Sequence, residues 1–197
     1  KDPTIGDWIP RNIPDMKAFT DAIHALDLKL VVWFATPFAG KGSATQAKFH
    51  AGFFDMPGDW QPMDWRYPET RAHIAGIIGR AARDWGCDGF KIDFIDSILC
   101  EGADPRPDDP RRDTPQRTEG VLRALDGILD AVHAALPNPL IEFRQSYIGP
   151  LMRRYATAFR GFDCPQDALN NRILVTDIRL LAGKTPTHSD MFIWNID

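Results

Sequence analysis

The chain has 197 residues, 44% apolar and 25% charged, with a net charge of −4. That is enough for one globular domain with its own core. The acidic balance, without any Lys/Arg-rich run, argues against nucleic acid or an anionic membrane surface as a partner, and no stretch approaches the roughly 20 apolar residues of a membrane span.

The first predicted element is a helix over residues 15–26, with Met16, Phe19, Ile23 and Leu26 on one face. Pro14 and Asp15 suit its first turn. Residues 28–34 form a nearly continuous apolar run of strand length, the pattern of a parallel strand covered on both faces. A loop with Gly40 and Gly42 follows, then a short strand in the region 60–65. Pro68 and Glu69 open a helix that buries Ile74, Ile77, Ile78, Ala81, Ala82 and Trp85, and Gly86 caps it. The next strand carries Phe90, Lys91, Ile92, Asp93 and Phe94. Residues 101–116 form a long polar loop. Residues 118–136 read as an amphipathic helix stopped by Pro137. Strands at 140–145 and 158–162, a helix at 167–181 and a last strand at 191–194 complete the pattern. Alternation of this kind predicts right-handed βα units around a parallel sheet. The expected fold class is α/β, a (β/α)8 TIM barrel with charged residues gathered at the C-terminal ends of the strands. A doubly wound sheet is the alternative, disfavoured because no Gly-rich phosphate loop follows the first strand.

Lys91 and Asp93 stand two apart and share one strand face, opposite Phe90, Ile92 and Phe94. Charges on an inward face are costly unless paired or used, so this is either a structural ion pair or a site of chemistry. Asp96 lies one turn further on, and a second charged segment runs from Arg160 through Asp163 to Asp167. Two carboxylates across a barrel mouth can act as nucleophile and acid/base on a glycosidic bond, about 5 Å apart in a retaining enzyme. Lys91 would favour the ionised form of Asp93, and burial beside Asp93 would keep a proton on Asp163. Plainer roles stand beside these. Asp163 before Cys-Pro can shape a turn, and Asp167 is more readily the N-cap of the following helix. Asp93 and Asp96 lack a third nearby ligand for a metal. His188-Ser189-Asp190 lacks a nucleophile elbow. Cys87, Cys100 and Cys164 lack CxxC spacing, which fits free thiols in a reducing compartment and leans toward the cytoplasm.

Several segments, in order, carry a family likeness: Gly6-Asp7-Trp8 with Ile13-Pro14-Asp15, the strand run ending at Pro37, the Lys-x-Asp strand of Lys91 and Asp93, and Asp163 to Arg172 with its Asp-x-x-x-Asp-Ala spacing. Together they resemble the retaining α-galactosidases of glycoside hydrolase families 27 and 36 (clan D), family 36 more closely. The resemblance implies a (β/α)8 barrel, no cofactor or metal, and an oligosaccharide or glycoside substrate. It implies Asp93 as nucleophile, Asp163 as acid/base and Lys91 on sugar hydroxyls, with Trp33, Arg160 and Asp167 as further substrate-binding residues.

Three departures qualify it. Ala35-Thr36 replace the family's Glu after Trp-Phe. Residues 143–149 replace its Cys-Ser-Gly-Gly-Gly loop, so Arg144 is expected to project toward the pocket and alter which sugar or aglycone fits. The paired Asp of the first strand is not found. About six strands are visible and the first and eighth are not, so residues 1–197 are expected to be a catalytic barrel domain in fragment, the remainder of a longer chain or a homo-oligomer. The segment His188 to Phe192 resembles a stretch of raffinose-synthase-like transferases. An α-glucosidase-like specificity and a non-catalytic sugar-binding barrel are the other readings.

Overall fold

The structure, a computed structural model, describes residues 4–49, 52–99, 108–163 and 168–189. Five strands form one all-parallel sheet in the order β1-β4-β5-β6-β7. They are β1 (Val31–Ala35), β4 (Gly89–Asp93), β5 (Leu140–Arg144), β6 (Ala158–Arg160) and β7 (Thr187–His188). Each strand pairs with the next sheet strand in sequence, so the order never reverses. A doubly wound sheet has a reversal point; a sheet winding toward a barrel has none. The architecture is α/β with a five-stranded parallel sheet, and a closed barrel is not formed by the described residues.

Helix α3 (Pro68–Trp85) follows its sequence signals. Pro68 stands in the first turn, and Gly86 ends the helix at φ 68°, a conformation that carries no penalty without a Cβ. It buries Ile74, Ile77, Ile78, Ala81 and Ala82. Helix α4 (Arg117–His133) buries Val121, Ala124, Leu125, Ile128 and Val132. The two helices pack closely, Gly79 of α3 lying against Ala131 of α4, where an added Cβ would come within 2.9 Å of the alanine methyl. Both cover one face of the sheet, joining Phe34, Phe90, Ile92, Ile141, Phe143 and Phe159 in a single core. Each such side chain contributes about 1.5–3 kcal/mol on burial.

The ends of the sheet differ from expectation. Helix α1 (Met16–His24) is capped by Asp15, whose carboxylate accepts from Ala18 N at 2.9 Å. Its apolar face is largely open, however: Thr20 is its one buried residue, and Leu26 beyond it is 71% exposed. Helix α5 (Ala168–Ala182) buries Ile178 and Ala182 but leaves Leu169, Ile173 and Leu181 exposed. The reason is position. α1 leads into β1 and α5 into β7, the two terminal strands of the described sheet, so among the described residues each lacks a neighbouring βα unit on one side.

Residues 60–65 supply β3 (Trp60–Pro62), which is outside the main sheet. It pairs antiparallel with β2 (Phe38–Gly40), a strand the sequence pattern did not mark. The short helix α2 (Ala44–Lys48) between them was also unmarked; Ser43 caps it by accepting from Gln46 N. Among the described residues the main sheet has five strands, without the region 60–65, and the expected strand at 191–194 lies outside the described residues. Cys87 is a buried free thiol, pushed up to about 11 by burial; Cys100 and Cys164 are outside the described residues. No helix among the described residues is long and apolar enough to cross a membrane.

Candidate functional site

In a parallel sheet, residues in register point to the same side. Trp33 of β1 is in register with Lys91 of β4, Lys91 with Glu142 of β5, and Glu142 with Ala158 of β6. Two residues further along, Arg144, Arg160 and His188 are in register across β5, β6 and β7. One face of the sheet therefore presents Trp33, Lys91, Asp93, Glu142, Arg144, Arg160 and His188. The opposite face presents the apolar residues packed under α3 and α4. This polar face is the candidate site.

Asp93 ends β4 and is buried. Its Oδ2 accepts from Trp33 Nε1 at 2.9 Å and lies 3.5 Å from Lys91 Nζ. Its Oδ1 accepts from Arg144 Nε at 2.5 Å, from the Phe94 backbone N–H at 2.8 Å, and from Tyr147 hydroxyl at 3.3 Å. Burial pushes the carboxyl upward. The Trp33 hydrogen bond, the Arg144 and Lys91 charges and the Arg144 hydrogen bond together outweigh it and hold Asp93 below the usual aspartate value. The group is thus an ionised carboxylate in a largely dry setting.

The backbone changes direction directly after it. Phe94 adopts φ 65°, a left-handed conformation rare for an aromatic residue, and this turn aims its N–H at Asp93. Strain of this kind, about 1–3 kcal/mol, persists only where surrounding contacts impose it and gathers at functional sites.

Arg144 is buried, its guanidinium about 5 Å from the ring centres of Phe94, Tyr147 and Phe162. It also donates to Gln145 O and reaches both oxygens of Asp96, at 3.4 and 3.5 Å. Tyr147 donates to Ile92 O at 2.7 Å, and burial, reinforced by the Asp93 charge, pushes its phenol up, so it stays a neutral donor.

The second expected carboxylate is placed differently. Asp163 accepts from Arg160 Nη2 at 2.7 Å, and its side chain is 70% exposed. The burial expected of it is not seen: Asp163 lies past the end of β6, and no element among the described residues covers it. Residues Arg160 and Asp163 form one pair; Asp93, Lys91, Trp33 and Arg144 form another cluster. Phe162 links them, its ring against Arg144 and its N–H donating to Gln145 Oε1 at 3.1 Å. Asp167 lies outside the described residues.

Three residues of this face were not singled out from the sequence as site residues: Glu142, Tyr147 and His188 as a partner of Glu142. Strand parity with Arg144 was the available signal for Glu142. Nothing local marks Tyr147, whose reach to Asp93 depends on the turn after β5. Among the described residues no cluster of three or more His, Cys, Asp or Glu is arranged to hold a metal ion. A cavity of 220 Å³ is lined by residues that include Trp8, Trp33 and Trp85, and Asp93 is not among them.

No protein-family model matches the chain, and no curated protein matches it. Solved structures do. An α-galactosidase from Lactobacillus brevis superposes with a TM-score of 0.66 at 20% identity, covering 88% of this chain and 24% of its own. A family 36 α-galactosidase from Geobacillus stearothermophilus, in complex with 1-deoxygalactonojirimycin, gives 0.66 at 15% identity over 98% of this chain and 32% of its own. Ega3 of Aspergillus fumigatus, in complex with galactosamine, gives 0.60 at 13% identity over 93% of this chain and 83% of its own. The fold is glycoside hydrolase-like. The chain spans less than a third of the length of these two α-galactosidases, and at such identities the likeness is one of fold.

Proposed function

We propose that this chain carries the catalytic face of a retaining glycoside hydrolase acting on a terminal α-linked sugar, galactose first among the candidates. The single observation that supports this best is Asp93: a buried, ionised carboxylate at the C-terminal end of a parallel strand, where enzymes of such α/β folds keep their chemistry. In this reading Asp93 attacks the anomeric carbon, the glycosidic C–O bond breaks, and a glycosyl-enzyme forms that water then hydrolyses. Oδ1 already has three partners, so Oδ2, with Trp33 on one side and Lys91 more loosely placed at 3.5 Å, is the oxygen with room to attack. Lys91 and Trp33 would meet the sugar hydroxyls and ring. Asp163 would give the leaving oxygen its proton and afterwards take one from water; a bound sugar would displace solvent from it. Arg160 would hold Asp163, and Asp167 and Arg144 would complete the substrate contacts.

The clasp of Arg144 on Asp93 favours one alternative of another class, a sugar-binding barrel without turnover, because both carboxylate oxygens are already hydrogen-bonded. Transfer to a sugar acceptor, as in raffinose-synthase-like enzymes, and α-glucosidase-like specificity remain variants of the leading reading. Hydrolysis of p-nitrophenyl α-galactoside, α-glucoside and α-galactosaminide distinguishes these. The leading reading expects release of nitrophenol, its loss in Asp93→Ala, and rescue of that variant by azide as a glycosyl azide. Sugar binding without turnover on any of the three would support the binding module instead.

A further inference from the structure

Glu142 lies between a histidine and a lysine. Its Oε2 is 3.0 Å from His188 Nε2, and its Oε1 is 4.0 Å from Lys91 Nζ. Lys91 in turn stands 3.5 Å from Asp93 Oδ2. A continuous line of charge and hydrogen bonding therefore runs from β7 through β5 to β4. Bridging β5 and β7 means spanning two strand spacings, close to 10 Å, over the intervening β6. The register explains how this is possible. The residue of β6 that faces Glu142 is Ala158, a bare methyl group, and the next side chain on that face, Arg160, is turned to Asp163.

We infer that Glu142 is a positioning residue for Lys91, itself oriented by His188 across the gap left by Ala158. A lysine ammonium on its flexible four-carbon stem has no preferred direction of its own. With Asp93 alone it would close onto that carboxylate and occupy Oδ2. A second carboxylate on the far side draws it back, leaving it between the two, within reach of both and in tight contact with neither. His188 takes the other oxygen of Glu142 and so sets the plane of the carboxylate. The consequence for the site is that Oδ2 of Asp93 stays open. This inference rests on the glycosidase reading for its catalytic meaning, though the geometry it concerns is independent of turnover.

The test is trace acetylation of the full chain with acetic anhydride, with Lys91 modification read by peptide mass spectrometry against exposed Lys41 as internal reference. Glu142→Gln keeps the shape of the side chain and removes its charge. Lys91 should then close onto Asp93 and react about threefold more slowly relative to Lys41, the size of a partly exposed ion-pair coupling. His188→Ala should give a change in the same direction. Unchanged labelling in Glu142→Gln overturns the positioning role, and unchanged labelling in His188→Ala overturns the tether. Where hydrolysis is measurable, Glu142→Gln should raise KM by a larger factor than it lowers kcat. Absence of hydrolysis in the unaltered protein counts against the proposed function and leaves the labelling result to decide this inference by itself.

Discussion

Arg144 Nε donates to Asp93 Oδ1 at 2.5 Å, joining the C-terminal ends of β5 and β4 through two buried side chains. Removing one member of a buried pair leaves the other uncompensated, at a cost of about 3–5 kcal/mol. Asp93 retains the Trp33, Phe94 and Tyr147 donors, so Arg144→Ala should fall at the lower end, about 3 kcal/mol by urea unfolding. Asp93→Asn combined with it should recover part of that loss. A single Arg144→Ala variant as stable as the parent would show that the pair contributes nothing.

The same carboxylate sets an acid limb. Asp93 is held below its ordinary value of 3.8 in the folded chain. Its contribution to stability is therefore complete above 3.8 and is lost as pH falls through the lower native value. Stability curves of the parent and Asp93→Asn, measured from about pH 6 to about pH 2, should differ at the top of this range and converge at the bottom. A constant difference would mean that ionisation of Asp93 is not what the folded state favours.

Trp33 tests whether Oδ2 is the reacting oxygen. Trp33→Phe keeps an aromatic ring at a position already 40% exposed and removes the N–H that reaches Asp93. A hydrogen bond to a charged group contributes about 1.5–3 kcal/mol, so Trp33→Phe should lower stability by about that much in urea unfolding and should also lower kcat on a nitrophenyl glycoside. An unchanged kcat would remove Trp33 from the site.

Gly89 tests the pairing that places Asp93. A Cβ there would lie 1.9 Å from Leu140 O, backbone that cannot move without opening the β4–β5 ladder. Gly89→Ala should cost more than about 4 kcal/mol, the range reserved for a named structural fault. Gly76→Ala, on α3 with only an Arg80 side-chain atom at 3.7 Å, should stabilise by up to about 1 kcal/mol. Equal effects at the two positions would contradict the register.

Exposed apolar residues near the terminal strands of the described sheet carry the domain proposal, that residues 1–197 are one part of a barrel. Leu26 and Leu28 near β1 and Leu169, Ile173 and Leu181 near β7 are exposed. Apolar surface of this extent favours association. Light scattering after gel filtration should find residues 1–197 self-associated, and a cooperatively unfolding monomer would count against the proposal.

The sequence by itself determined the elements that depend on near neighbours. Helical spacing of Ile74, Ile78 and Ala82 with Gly86 behind them located α3, and period-two placement of Lys91 and Asp93 against Phe90 and Ile92 assigned the two faces of β4. Parallel winding followed from strand and helix alternation. Those signals are local because a helix turn and a strand pleat repeat within a few residues. Tertiary structure alone decided what sits against Asp93, because Trp33, Arg144 and Tyr147 are 60, 51 and 54 residues away in the chain. It likewise decided that β3 leaves the main sheet to pair with β2, that Glu142 reaches His188 over an alanine, and that Asp163 faces water. Period-two patterning says which residues of a strand share a face, but which residue of another strand lies opposite, and what covers each strand end, depends on contacts far apart in the chain.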